Sequence, residues 1–197
     1  MSEIMSIVFL IDTRHHMLID YKDGKSKMNM INEIIRELFK IGIDKCITYS
    51  DESDIDFCVL NLSGEMIIDW QPLLPYREYF KKLQKDNSKI VDLGYALNSA
   101  VDCIRQRQHL YFEMGIIGLK PKIIVLSDFD ILNSNFNLSE KAKIYLIDNQ
   151  YYAEKVDATF IWIEADIDNI PYVFRKLPEN IRIISEKDFF YSIGEII

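Results

Sequence analysis

Ile7-Val8-Phe9-Leu10-Ile11-Asp12-Thr13-Arg14-His15-His16-Met17 is an apolar run that stops at an acid. A short run without polar interruption reads as a strand covered on both faces, the environment of a parallel strand in an α/β sheet. Open α/β sheets carry their ligand crevice at the carboxyl ends of such strands. Asp12 is therefore the first candidate functional residue, and the question for the rest of the chain is what it faces.

Working outward, Ile123-Ile124-Val125-Leu126 leads into Ser127-Asp128-Phe129-Asp130 and repeats the pattern of a buried strand ending in an acid. In a parallel sheet the carboxyl ends of the two strands share an edge, which lets Asp12 and Asp128 approach across the crevice. Between them, Met28, Ile31, Ile34, Ile35, Leu38 and Phe39 recur at helical spacing, with Gly42 as the expected end of that helix. Asp92 is the expected N-cap of a second helix with Leu93, Ala96, Leu97, Ala100, Val101 and Ile104 on one face. Phe57 to Leu62 and Met66 to Trp70 flank Ser63-Gly64-Glu65, which predicts an antiparallel hairpin at a sheet edge.

Further strands are expected at Thr159–Ile163 and Ile181–Ile184. Short helices are expected around Tyr76–Leu83, at Ile167–Leu177 and at the Phe189-Phe190 end. A helix is expected from Ser139 to about Tyr152, within which Ile144-Tyr145-Leu146-Ile147 equally suits a strand. Together these signals predict a single domain over residues 1–197, a three-layer α/β/α Rossmann-like fold. Its central sheet is mostly parallel, with one antiparallel edge strand and helices on both faces.

Composition limits the functions available. Lys and Arg number 23 against 31 Asp and Glu, a net charge of −8, which disfavours nucleic acid as a partner. The basic runs Lys81-Lys82-Leu83-Gln84-Lys85 and Arg105-Gln106-Arg107 are short and read as solvated helix faces, and the acidic Asp51–Asp56 run reads as a surface loop. Cys46, Cys58 and Cys103 are far apart and outside any metal-binding spacing, as expected of small apolar residues in a reducing cytoplasm. The sequence shows no signal peptide and no apolar run of bilayer length, so a cytoplasmic location without a membrane partner is expected.

The order of these features resembles a von Willebrand factor A-type (vWA) domain, in particular the stand-alone bacterial TerY-like proteins of tellurium resistance. The resemblance rests on Val8-Phe9-Leu10-Ile11-Asp12-Thr13 with Met17, Ser63-Gly64-Glu65, Leu93-Gly94-Tyr95-Ala96-Leu97, Lys120-Pro121-Lys122 before Ile123–Asp128, and Asp188-Phe189-Phe190. It implies a metal-ion-dependent adhesion site built from Asp-x-Ser-x-Ser, a Thr before the central helix and an Asp after the fourth strand. Asp12 and Asp128 match the two acids. Arg14 and His16 stand where the serines belong, and Val91, which has no ligand atom, stands at the Thr position.

An arginine beside two carboxylates supplies by ion pairing the positive charge a metal would bring. The expectation is thus a degenerate metal site with no metal and no other cofactor. The chain would be a non-catalytic module that meets a protein partner through Asp12, Arg14, His15, His16, Asp128, Phe129 and Asp130 at the carboxyl edge, in a bacterial stress or tellurium-resistance-like system. A rival reading keeps a divalent metal on Asp12, His16 and Asp128, a set better suited to a transition metal than to Mg²⁺. A purely structural reading gives the two acids capping roles worth about 1 kcal/mol each. A haloacid-dehalogenase-like phosphatase would also place an Asp after its first strand, but it needs a second acid two residues on, where this chain has Arg14.

Overall fold

The computed structural model describes residues 3–22, 24–49, 53–73, 93–128, 156–163, 181–185, 188, 189 and 191. The helices expected near 76–83, 139–152 and 167–177, the alternative strand Ile144–Ile147 and the capping residue Asp92 lie outside them.

Strand β1 (Glu3–Ile11) lies inside a seven-stranded sheet. A one-turn 3-10 helix (His15–Leu18) and a small hairpin, β2 (Asp20–Lys22) and β3 (Lys25–Ser26), follow it. Helix α1 (Lys27–Tyr49), strands β4 (Ser53–Asn61) and β5 (Met66–Pro72), and helix α2 (Leu93–Met114) come next. Strands β6 (Ile117–Gly118), β7 (Lys122–Ser127), β8 (Asp157–Trp162) and β9 (Ile181–Ser185) are the remaining strands of the sheet among the described residues. The strand order is β5-β4-β1-β7-β8-β9, and β6 pairs with β1 ahead of β7. Among the described residues every pairing in this sheet is parallel except the edge hairpin β4–β5.

The sheet direction reverses at β1: the chain builds outward to β4 on one side and returns through α2 to β7 on the other. The crevice at the carboxyl ends of β1 and β7 is therefore the topological switch point, where open α/β sheets bind ligands. Asp12 and Asp128 are the residues directly after these two strands.

The pleat explains why the opening run is apolar throughout. Ile7, Phe9 and Ile11 face one buried cluster with Ile31, Ile34, Ile35 and Leu38 of α1. Val8 and Leu10 face a second with Leu93, Ala96, Leu97, Ala100 and Ile104 of α2. Successive strand residues point to opposite faces, so a strand between two helical layers needs apolar side chains at every position. On the α1 side, Phe9, Phe39 and Phe57 form an aromatic trio, with Phe9 edge-on to Phe39 at a centroid distance of 5.7 Å and to Phe57 at 6.2 Å. Such edge-to-face pairs add about 0.5–1.5 kcal/mol beyond the apolar area they bury.

Three sequence expectations require correction. Helix α1 does not end at Gly42, which sits buried within it; an internal glycine costs only about 1 kcal/mol against alanine, which packing of the apolar face outweighs. The acidic run is not wholly a surface loop, because β4 begins at Ser53 and Asp56 is buried. Arg107 is not on a solvated face: its guanidinium donates to Asp56 Oδ2 through Nε at 3.1 Å and also through Nη2, and it lies over the Trp70 and Tyr111 rings. The acid and the base neutralise one another inside the α2 layer.

The β4–β5 turn depends on Gly64, whose φ of +80° is left-handed. A Cβ there would also lie 2.6 Å from Ser99 Oγ and 2.8 Å from Tyr95 Cε1, both on α2. Strain and collision act together. The Gly64→Ala variant is expected to lose about 1–3 kcal/mol in urea denaturation, and an unchanged midpoint would mean that the turn and the helix yield freely.

Candidate functional site

The site is assembled by the ends of two strands and one helix. Asp12 continues the β1–β7 ladder, its backbone N–H donating to Leu126 O at 2.9 Å, which carries its carboxyl group to the rim of the crevice. The chain then turns on that carboxylate: Asp12 Oδ1 accepts from the backbone N–H of Arg14 at 3.1 Å. Short acidic side chains close turns in this way, two residues ahead. Buried Met17 pins the 3-10 helix to the α1-side core, which fixes the loop carrying Arg14 and His16.

The Asp12 carboxylate is completely buried. Arg14 grips it with a fork, Nε donating to Oδ1 at 2.9 Å and Nη2 to Oδ2 at 2.7 Å, while Ser127 Oγ donates to Oδ2 at 2.9 Å. Bidentate guanidinium–carboxylate pairing is among the stronger ion-pair geometries and demands a planar cation. Arg14 Nη2 also reaches to 3.5 Å from Asp128 Oδ1, so the guanidinium spans both acids.

A second cation, which the sequence motif does not contain, holds the other acid. Lys27 Nζ donates to Asp128 Oδ2 at 2.8 Å. Lys27 is the first residue of α1, after Ser26, whose Oγ accepts the Asn29 N–H as an N-cap does. A lysine there opposes the helix dipole, which favours acids in the first turn, and the first turn of α1 contains none. The local rule is broken, and Asp128 is the compensation.

His16 Nε2 lies 2.9 Å from Asp128 Oδ2 and 4.0 Å from Asp12 Oδ2, without a well-directed hydrogen bond to either. Burial pushes the Asp128 carboxyl up, but the Lys27 hydrogen bond and the nearby His16 outweigh it, and the group settles below its ordinary value. Asp128 is thus an ionised acceptor at neutral pH.

Of the residues expected at the site, Asp12, Arg14, His16 and Asp128 come together. His15 is exposed and has no ion pair with these acids among the described residues. Phe129, Asp130 and Val91 lie outside the described residues. Lys27 and Ser127 are additions as contacts of the two acids. Leu18 and Ile19, immediately after His16 and Met17, are exposed apolar side chains at 41% and 59% exposure.

The residues present fit a hard divalent ion poorly. Asp12, His16 and Asp128 do place three donor atoms within 4.8 Å of one another. However, Mg²⁺ requires near-octahedral oxygen coordination, and here the guanidinium and ammonium groups already occupy the carboxylates. An entering ion would have to displace Arg14 from a buried acid and work against both fixed cations.

No protein-family model matches the chain, and no curated protein sequence matches it. Solved structures do. The SpRpn10 VWA domain superposes with a TM-score of 0.56 at 11% identity, covering 98% of this chain and 97% of its own. The conserved hypothetical protein BatB from Bacteroides thetaiotaomicron gives 0.59 at 10% identity, with 98% of each chain covered. An aerotolerance-related membrane protein from Bacteroides fragilis gives 0.54 at 11% identity, covering 97% of this chain and 99% of its own. No helix among the described residues is long and apolar enough to cross a membrane. The matches span nearly the whole chain, whose central sheet is mostly parallel with one antiparallel edge pair: the fold is that of a von Willebrand factor A-type domain.

Proposed function

We propose that the chain is a non-catalytic protein-interaction module that binds its partner at the carboxyl edge of the sheet without a metal ion, its adhesion-type site being degenerate. The observation that carries this reading is the Arg14 fork on buried Asp12, reaching on toward Asp128. With Lys27 on Asp128, two fixed cations balance two carboxylates. Neutralised internally, the acids offer little charge to a ligand, and recognition falls to the rim.

There Leu18 and Ile19 present exposed apolar surface beside the half-buried Arg14 and His16, a combination of apolar contact and arginine found at protein interfaces. The similarity in fold to the SpRpn10 VWA domain is compatible with such a role. Placement as a cytoplasmic accessory of a bacterial stress or tellurium-resistance-like system rests on the resemblance to TerY-like proteins and on the thiol pattern. The phosphatase reading is disfavoured because the position of its general acid is occupied by Arg14, which binds the would-be nucleophile Asp12.

A second reading retains a transition metal on Asp12, His16 and Asp128, supported by the convergence of their donor atoms. Affinity capture in chelator and in Mg²⁺ or Mn²⁺ separates the two. Metal-independent binding predicts equal recovery of a cross-linked partner in each buffer and about a tenfold or larger loss with the Leu18→Asp/Ile19→Asp double variant. Recovery only with the divalent ion would favour the second reading, and full recovery by the double variant would remove this surface from consideration.

A further inference from the structure

Strand β5 stands at the end of the strand order, and among the described residues it pairs with β4 alone. None of its seven residues is buried. Met66 and Ile67 are 45% and 39% exposed, while Ile68 leans on the α1-side core and Trp70 on the α2-side core. The strand is held from both faces, and an edge strand so held presents a row of backbone donors and acceptors to a further strand.

Pairing with its own kind is the usual hazard of such an edge, and Asp69 works against it. Asp69 is the central residue of β5, so two copies laid antiparallel along the full strand would set Asp69 against Asp69. Like charges directly opposite one another destabilise a strand pair. The register shifts in the β4–β5 ladder and Pro72 at the end of the strand keep the usable edge short. A second copy of this chain is therefore the poorer occupant.

The charge along the hairpin points to what a better one carries. From Cys46 to Tyr76 the sequence has six Asp or Glu and no Lys, Arg or His. Asp56 is neutralised by Arg107. Glu65 accepts from Asn61 Nδ2 and Asp69 from the Trp70 backbone N–H, and neither has a cation partner among the described residues. We infer that β5 is a docking edge for an extended segment of another protein, one that alternates apolar and basic residues and adds to the sheet as a further strand. Main-chain hydrogen bonds supply the affinity of such strand addition. Met66 and Ile67 add apolar contact, and Glu65 and Asp69 select for the basic segment. This edge is separate from the Leu18 and Ile19 surface.

The test titrates the full chain into a fluorescein-labelled peptide of alternating lysine and valine. Two controls accompany it: the same peptide with alternate backbone nitrogens methylated, and its glutamate–valine counterpart. Saturable binding of the lysine–valine peptide is expected with a Kd of about 100 μM or tighter, and binding of both controls about tenfold weaker or more. Amide exchange should slow within Met66–Pro72 on binding. Asp69→Lys, at an exposed position, should keep the urea midpoint and weaken the lysine–valine peptide by about fivefold or more; Leu18→Asp/Ile19→Asp should leave that peptide's binding unchanged. Equal binding of the methylated peptide, protection only at other strands, or no binding up to about 1 mM overturns the assignment. Light scattering that finds the free chain dimeric, with Met66–Pro72 protected in the dimer, gives the edge to a second copy and overturns it as well.

Discussion

Replacing Arg14 by alanine is expected to destabilise the protein by about 3 kcal/mol, the lower part of the range for breaking a buried ion pair. Asp12 has no exposure and, among the described residues, would keep the Ser127 hydroxyl and the Arg14 backbone N–H as its donors. Arg14 itself is partly exposed, so water entering behind the truncated side chain recovers some of the loss. Arg14→Lys should fall between wild type and alanine, because it restores the charge without the planar fork. His15→Ala, at the exposed neighbouring position, should stay within about 0.5 kcal/mol. Urea denaturation of the three variants checks the series, and a loss below about 1 kcal/mol for Arg14→Ala would show that the guanidinium does not close the site.

Asp56→Ala is expected to cost a similar amount, about 3 kcal/mol, at the opposite end of α2. Asp56 Oδ2 accepts from Tyr111 Oη at 2.7 Å and from the Arg107 guanidinium, and Ser6 and Tyr111 hydroxyls approach at 3.5 Å. Burial, together with hydrogen bonding to Asp56, pushes the Tyr111 hydroxyl up to about 12, so at neutral pH it donates as a neutral phenol. Without the carboxylate, Tyr111 retains, among the described residues, the long contact to Ser6 and a weak one from Arg107 at 3.2 Å. Arg107 keeps its stacking on Trp70 and Tyr111, at 5.4 Å and 5.2 Å, but loses its counter-charge. Asp56→Asn keeps the shape and one acceptor and should lose less. If it matched Asp56→Ala in urea, hydrogen-bond geometry would contribute little beside charge.

The two clusters show what a linear sequence reveals. β1, β7 and the β4–β5 hairpin were legible because burial on both faces, alternation and a glycine turn each leave a local pattern. Asp12 and Asp128 were legible as acids ending such strands, and Arg14 by its spacing from Asp12. Lys27 was not, since it meets Asp128 only through the packing of α1 beside the carboxyl edge. Its signal was indirect: a lysine opening a helix whose first turn has no acid.

Asp56 and Arg107 were legible in principle. Asp56 shares the β4 face of Cys58 and Leu60, and Arg107 continues the α2 stripe from Ala100 and Ile104 to Tyr111. Charge alone is poor evidence of solvent at either position, since a pair of opposite charges on facing apolar stripes satisfies burial equally well.

In the proposed reading, Arg14 and Lys27 supply the charge a divalent ion would otherwise bring to Asp12 and Asp128. Isothermal titration of Mg²⁺, and separately Mn²⁺, into the full chain tests it most directly. No saturable heat is expected up to about millimolar ion, the weak limit of useful affinity. A stoichiometric site with a Kd of about 1 μM or below, lost on Asp12→Asn, would contradict it.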